Sequence, residues 1–464
     1  MKKILIVNLF LIVLNLLALD TPMFVKTFGG DYDDDNYSVI QASDTGYIIC
    51  GSIQTVQYGT KDISLLKTDS LGNEEWSKTY GGTNNDVSLS IQKTSDGGYI
   101  LCGYTWSYGN GEADVYLIKT DPTGNEIWSQ TYGGSYSDVG YSVNLTSDGG
   151  FIITGLTHSH EDYFYADVYM VKADSLGNEE WTKRYGGLNR NDSGESVQQT
   201  IDGGFIICGW TESYGNGSLN SPDVYLIKTD SSGNETWYKT YGDLNSDLGM
   251  CVQQMTDNGY IIQANSDVFG DGYSDIYLIR TDVNGDEVWS NNFGGSNYEE
   301  AWSLQQTSDN GFIVCGYTYS YGNGNADMFL VKADLMGNEE WSRTFGKSGY
   351  DEGRSVYQSS NGGYIISGIT DSYGSNNQHY IIKTDSFGRI VTAPKNISTC
   401  ESSGTLTISW DTETCADSYL IYSSDNPYND FIQIDSITTN FWYKAIESEF
   451  KGFYYVIAKS DITN

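Results

Sequence analysis

Two of the chain's three histidines, His158 and His160, share one loop with Glu161 and Asp162, and imidazoles beside carboxylates are a donor set for a transition metal. A zinc-type site needs a further histidine or cysteine nearby. His379 lies three or four repeat units away, so the loop reads as solvated and, with Tyr163, as a candidate ligand contact. Carboxylates recur in a second pattern: Asp34, Asp86, Asp138, Asp192, Asp247, Glu299 and Asp351 each stand just before a short strand. Converging on an axis, they would raise one another's pKa values or hold a cation such as Ca2+; acting separately, each would cap a turn of its own repeat. Asp31 to Asn36 has the acidic alternation of a calcium loop but lacks its glycine and its distal glutamate.

Aromatic faces beside carboxylates and amides are the physics of sugar binding, because ring faces take C–H groups while hydroxyls find acceptors. Trp106, Trp210, Phe269 and Tyr319 lie in or next to loops that join second and third strands. Tyr108, Tyr214 and Tyr321 share the recurring phrase S-Y-G-N-G and read as scaffold. Residues that break the pattern are better candidates: the loop from His158 to Tyr165, the insertion from Ser218 to Pro222, Glu195, and Arg354 near the start of the seventh inner strand. No Ser–His–Asp or Cys–His set, phosphate-cradling loop or isolated pair of acids stands out.

The elements that must position these side chains are repeats. Trp76, Trp128, Trp181, Trp237, Trp289 and Trp341 follow one another at intervals of 52, 53, 56, 52 and 52 residues, each inside a near-copy of the same sentence. In the second copy, Val87 to Thr94 alternates, Ser95-Asp96-Gly97-Gly98 turns, Tyr99 to Thr105 is apolar, Asp114 to Asp121 forms a third strand, and Glu126 to Tyr132 a fourth. Four antiparallel strands per unit make a β-propeller blade, and the inner-strand signal occurs seven times. An extra fourth-strand phrase, Phe24 to Gly30, precedes the first copy, while the seventh has Gly388-Arg389-Ile390 in its place. Both features are consistent with an N-terminal strand that completes the last blade, although the sequence alone leaves open which terminus closes the ring.

Met1 to Leu19 has the basic, apolar and small-residue parts of a secretory signal peptide, so an exported, secreted or cell-surface protein is expected. The net charge of -36 argues against nucleic acid and anionic membrane as partners, and no later stretch is long and apolar enough to insert in a bilayer. Cys50, Cys102, Cys208 and Cys315 share one repeat position and read as buried free thiols; Cys251 is alone on a neighbouring strand. Cys400 and Cys415 could pair in an oxidising compartment.

The phrase D-x-[YF]-[LV]-x-K-x-D-x-x-G-x-x-x-W, here Asp114, Tyr116, Leu117, Lys119, Asp121, Gly124 and Trp128, resembles the seven-bladed β-propeller repeat of secreted bacterial proteins. That resemblance covers about residues 24 to 390 and implies exported or surface proteins without one shared activity. The Asp121–Trp128 hairpin also resembles, one residue out of step in each case, the Asp-box of sialidases and the tryptophan-docking hairpin of quinoprotein dehydrogenases; both are structural there. After Ala393-Pro394 the repeat stops, and the strand patterns Leu406 to Trp410, Ser418 to Tyr422 and Phe453 to Ala458 resemble a fibronectin type III β-sandwich with little chain left for a final strand.

The expected organisation is a signal peptide at 1–19, a seven-bladed all-β propeller at 24–393 and a small sandwich at 394–464. The function expected is non-catalytic binding or adhesion, by a monomer without cofactor, of a glycan or an extracellular protein. A polysaccharide-acting hydrolase or lyase and a structural surface component are the alternatives.

Overall fold

The computed structural model of the chain describes residues 23–30, 32–54, 59–160, 163–216, 221–267, 273–374 and 376–392, then 398–402, 405–409, 418–424, 432–445 and 453–460. Two compact units divide it, one holding Val25–Ile382 and the other Lys383–Asp461. Among the described residues no helix is long and apolar enough to cross a membrane.

Blade two shows how the repeat makes its sheet. Asp86–Lys93, Tyr99–Thr105, Asp114–Thr120 and Glu126–Tyr132 pair antiparallel in chain order. The two middle strands are almost wholly buried because neighbouring blades cover both faces. The outermost, EIWSQTY, keeps a polar, exposed edge that discourages pairing with another chain. At the first turn, Asp96 accepts from Thr94 Oγ1 at 2.5 Å and from Gly98 N at 3.1 Å, while the buried Lys119 reaches Asp96 at 2.9 Å. The Thr94 hydroxyl first, and Lys119 second, hold this carboxyl down at about 2.

The hairpin of Asp121 joins one blade to the preceding one. Asp121 Oδ1 accepts from Thr123 N at 2.8 Å and Asn125 N at 2.9 Å, and Gly124 takes φ of +76°. A methyl group on Gly124 would lie 2.6 Å from the Trp76 ring, so both the backbone and the packing call for glycine. Gly177 meets Trp128 in the same way, Gly233 meets Trp181, Gly285 meets Trp237 and Gly337 meets Trp289. Where the outer strand ends in tyrosine, its hydroxyl seals the joint: Tyr132 Oη donates to Gly177 O at 2.7 Å, Tyr185 to Gly233 O at 2.7 Å and Tyr241 to Gly285 O at 2.6 Å.

Seven such four-stranded sheets form, and their innermost strands neighbour one another in a closed circuit that returns from Asp351–Gln358 to Asp35–Gln41. Blade seven takes its outer strand from the N-terminal side, in the order Phe24–Phe28, Gln378–Lys383, Tyr364–Thr370, Asp351–Gln358. The degenerate copy explains why: Ile390–Thr392 pairs with Phe453–Ser460 instead. Serines also tie inner strands across blades, with Ser90 Oγ accepting from Val143 N at 3.3 Å, Ser196 from Val252 at 3.3 Å and, across the closure, Ser355 from Val39 at 3.2 Å. Cys251 replaces the serine in blade five and points its thiol at Leu304 O, 3.7 Å away. Cys50, Cys102, Cys208 and Cys315 are buried free thiols, and burial pushes Cys50 up to about 12.

Beyond the propeller, Ile390–Thr392, Phe453–Ser460, Ser418–Ser424 and Ile432–Ile437 form one sheet, and Ser398–Ser402, Thr405–Ser409 and Phe441–Ala445 another. The signal-peptide segment, Trp410 and Cys415 lie outside the described residues.

Two variants test the joints. Tyr132→Phe leaves Gly177 O without its donor and should lower unfolding free energy by about 1–2 kcal/mol in urea titration. Deleting residues 23–30 strips blade seven of its outer strand and should lower the urea midpoint and broaden the transition. An unchanged midpoint after that deletion would refute closure by this strand.

Candidate functional site

Every innermost strand carries the same irregularity. The register slips between Asn36 and Ser38, Ser88 and Ser90, Gly140 and Ser142, Gly194 and Ser196, Gly249 and Cys251, Ala301 and Ser303, and Gly353 and Ser355. One residue is thereby left unpaired in each blade, and a bulge of this kind re-aims its side chain. The seven bulge residues are Tyr37, Leu89, Tyr141, Glu195, Met250, Trp302 and Arg354, all half-buried. Around them the sequence repeats; at this position six residue types occur in seven copies.

These side chains meet across blades. The Arg354 guanidinium lies 4.5 Å over the Tyr37 ring, its Nε bonds Glu352, and Tyr350 Oη donates to Glu352 at 2.8 Å. Nη1 of Arg354, buried and without a hydrogen-bond partner, stands 4.0 Å from Asp35. In blade six Trp302 packs on Tyr317 at 5.4 Å between ring centres, and Tyr317 contacts Tyr350 at 6.0 Å and Tyr319 at 5.6 Å. In blade four Glu195 accepts from Ser193 Oγ at 2.7 Å and Trp210 Nε1 at 3.2 Å. Burial outweighs those two hydrogen bonds and pushes Glu195 up to about 7. Burial also raises Tyr141, with the charge of Glu195 adding to it. The bulge positions thus supply three aromatic rings, two aliphatic side chains (Leu89 and Met250), one carboxyl and one guanidinium to the innermost strands, which form the inner ring.

The seven repeated carboxylates do something else. Asp86 is fully buried and accepts from Gly82 N at 2.8 Å, from Ser107 Oγ at 2.7 Å and from Thr105 Oγ1. Asp138 is held by Gly134 N and Ser159 Oγ, Asp192 by Gly187 N, Thr211 and Ser213, and Asp247 by Asp243 N and Ser266. Glu299 takes Gly295 N and Thr318, Asp351 takes Lys347 N, Thr370 and Ser372, and Asp34 takes Gly30 N and Gln54 N. Each carboxylate ties the connection from the preceding blade to the loop that follows the second strand of its own blade. Among the described residues, no three His, Cys, Asp or Glu side chains gather as a metal set.

A second acid sits beside most of these caps. A methyl on Gly346 would fall 2.4 Å from Asp327 and 2.5 Å from Asp351; burial, with the charge of Asp351, pushes Asp327 up to about 7. At the closing junction His379 takes the place of this acid beside Asp34, and burial lowers its pKa against the pull of that carboxylate.

The remaining sequence candidates disperse. Trp210 and Arg354 belong to the inner ring, and Tyr319 packs at its margin. Trp106 is exposed on blade two. His158 Nδ1 lies 3.1 Å from Tyr163 O, His160 Nε2 3.0 Å from Tyr165 O, and Tyr163 stacks on Tyr136 at 4.5 Å, a separate cluster on blade three. Phe269 lies outside the described residues. Sequence reading found Glu195 and Arg354 but missed Tyr37, Tyr141 and Trp302. Their signal was available as the most variable position of the inner strand, directly before its serine.

No protein-family model matches the chain. Over 244 residues it is 24% identical to the regulatory protein FlaEY of Caulobacter vibrioides, covering 46% of this chain and 24% of that protein. The chain thus spans about a quarter of the length of the curated relative it matches. Among solved structures it is similar to Sqt1 from Chaetomium thermophilum (10% identity, TM-score 0.43, 78% of this chain and 99% of that one). It is also similar to an alpha-L-arabinanase of Penicillium chrysogenum complexed with arabinobiose (10% identity, TM-score 0.44, 78% and 98%).

The raised Glu195 gives a pH test. Its folded pKa of about 7 exceeds the ordinary carboxyl value, so its ionisation costs stability above that pH, and the cost disappears as pH falls toward 4 to 5. Glu195→Gln should therefore raise the melting temperature at pH 8, on the order of 2 °C, and leave it nearly unchanged at pH 5. Equal shifts at both pH values would mean that Glu195 ionises normally.

Proposed function

We propose that this is an exported, non-catalytic binding protein whose propeller takes a glycan ligand at the ring of bulge residues. The observation that carries the reading lies within each inner strand: the re-aimed position is the most varied of the strand and carries three aromatic rings, a guanidinium and a carboxyl among its seven residues. Tyr37, Tyr141 and Trp302 supply stacking faces, Arg354 supplies donors, and Glu195 with Trp210 supplies an acceptor and an N–H. An extracellular protein segment would meet the same groups. The two sheets after residue 390 are read as a fibronectin type III-like sandwich that spaces or attaches the propeller, and the first 19 residues as the export signal.

A polysaccharide-acting enzyme is the second reading. It is favoured by one observation, a carboxyl group near pH 7 at Glu195, where a general acid or base works best.

A glycan array of the purified protein, with and without calcium, tests both. Binding without turnover is expected, and Trp302→Ala should weaken it by about tenfold or more, as loss of an aromatic anchor does. Product release from a bound polysaccharide would replace the first reading with the second; no binding in either condition would refute both.

A further inference from the structure

Blade three departs from its siblings at three places, and the departures meet. In blades two, four and six the phrase S-Y-G places a tyrosine over the joint with the preceding blade. Tyr108 Oη donates to Gly81 O at 2.7 Å, Tyr214 to Gly186 O at 2.6 Å and Tyr321 to Gly294 O at 2.8 Å. Each of these rings also covers an aromatic residue of the third strand: Tyr108 on Tyr116 at 5.7 Å, Tyr214 on Tyr225 at 5.7 Å, Tyr321 on Phe329 at 5.7 Å. Tyr116, Tyr225 and Phe329 are accordingly buried.

His160 occupies the tyrosine position in blade three, directly after Ser159 as Tyr108 follows Ser107. Its Nε2 turns to Tyr165 O at 3.0 Å and stands 3.6 Å from Asp167. Tyr169, the counterpart of Tyr116, is left only half-buried. Its cross-strand partner is Arg184, where the equivalent partners are Thr79, Thr131, Thr240, Asn292 and Thr344. Arg184 is exposed and lies 3.4 Å from Asp167. The third departure is the loop Gly186 to Asn191, one residue longer than its counterpart Gly133 to Ser137, with Asn189 in the left-handed region at φ of 58° and Leu188 exposed.

Two adjoining cavities lie on this blade. One of about 430 Å³ is lined by Tyr169, Ser159 and Arg184, and one of about 410 Å³ by His160, Tyr165, Asp167 and Leu188; Ser159 and Arg184 belong to both. An uncovered ring face, a guanidinium with a carboxylate beside it, and a hydroxyl are complementary to a pyranose. The sugar's C–H face stacks on the ring, while neighbouring hydroxyls accept from Arg184 and donate to Asp167.

We infer that the lidless joint between blades two and three is a pyranose-binding groove, off the inner ring, with Tyr169 as its platform and Arg184 and Asp167 as its hydrogen-bonding pair. It rests on the glycan reading above and gives that reading a second contact point. It also accounts for the absence here of a tyrosine that blades two, four, six and seven keep.

Two variants that restore the repeat test it with little risk to folding: His160→Tyr rebuilds the lid, and Arg184→Thr returns the common residue. Saturation-transfer NMR would use methyl glycosides of glucose, galactose, mannose, xylose, fucose and glucuronate, with parent and variants at matched melting temperatures. Transfer from at least one glycoside to the parent is expected, falling about fivefold or more in both variants. Absence of transfer from every glycoside, or transfer that survives both substitutions, would overturn the groove. Transfer lost in Trp302→Ala but kept in His160→Tyr and Arg184→Thr would overturn it while leaving the inner-ring reading standing. Array binding lost in none of the three variants would count against both.

Discussion

The contact between a tryptophan of one blade and the hairpin glycine of the next is the interaction on which the rest depends. A single four-stranded sheet cannot bury both its faces, and its middle strands are apolar on both. They become a core only when the next blade comes close enough for Trp76 to lie on Gly124, Trp128 on Gly177, and so on to Trp289 on Gly337. A side chain at the glycine would collide with the ring, and the positive φ excludes most other residues in any case. The tyrosine hydroxyl bonded to the same glycine's carbonyl sets the approach as well as its distance.

Once neighbours pack this way, the last blade must meet the first. Blade seven lacks an outer strand of its own because Ile390–Thr392 pairs elsewhere, and Phe24–Phe28 fills the gap. Closure by the N-terminal strand ties a local segment to the most distant part of the propeller and covers the edge of the buried strand Gln378–Lys383. The closing junction is also where His379 stands in place of the repeated acid, beside Asp34.

Function, in this architecture, belongs to positions where packing makes no demand. The bulge in each inner strand frees one side chain from the sheet's alternation, so Tyr37, Glu195, Trp302 and Arg354 vary without cost to the core. On blade three the demand is removed differently: loss of a lid tyrosine uncovers Tyr169, and an arginine occupies a threonine's place. The repeated carboxylates, by contrast, are all committed to turns.

The blade count, the strand order within a blade, the structural hairpin, the buried thiols and an extra strand available for closure were legible in the sequence, because each follows from short-range periodicity and from residues whose conformational preferences act locally. Glu195 and Arg354 were visible as interruptions of that periodicity. What only the tertiary structure decided was which interruptions share a place. Strand register created the bulge that groups Tyr37, Tyr141 and Trp302 with them, and cross-strand pairing set Arg184 beside Tyr169 in a joint that chain order conceals. The acidic ring shows the same division from the other side. Its spacing announced seven equivalent carboxylates, but only the hydrogen bonds of the folded chain showed that each is committed to the turns at one blade junction, since partners twenty residues apart are brought together by the sheet and not by the sequence.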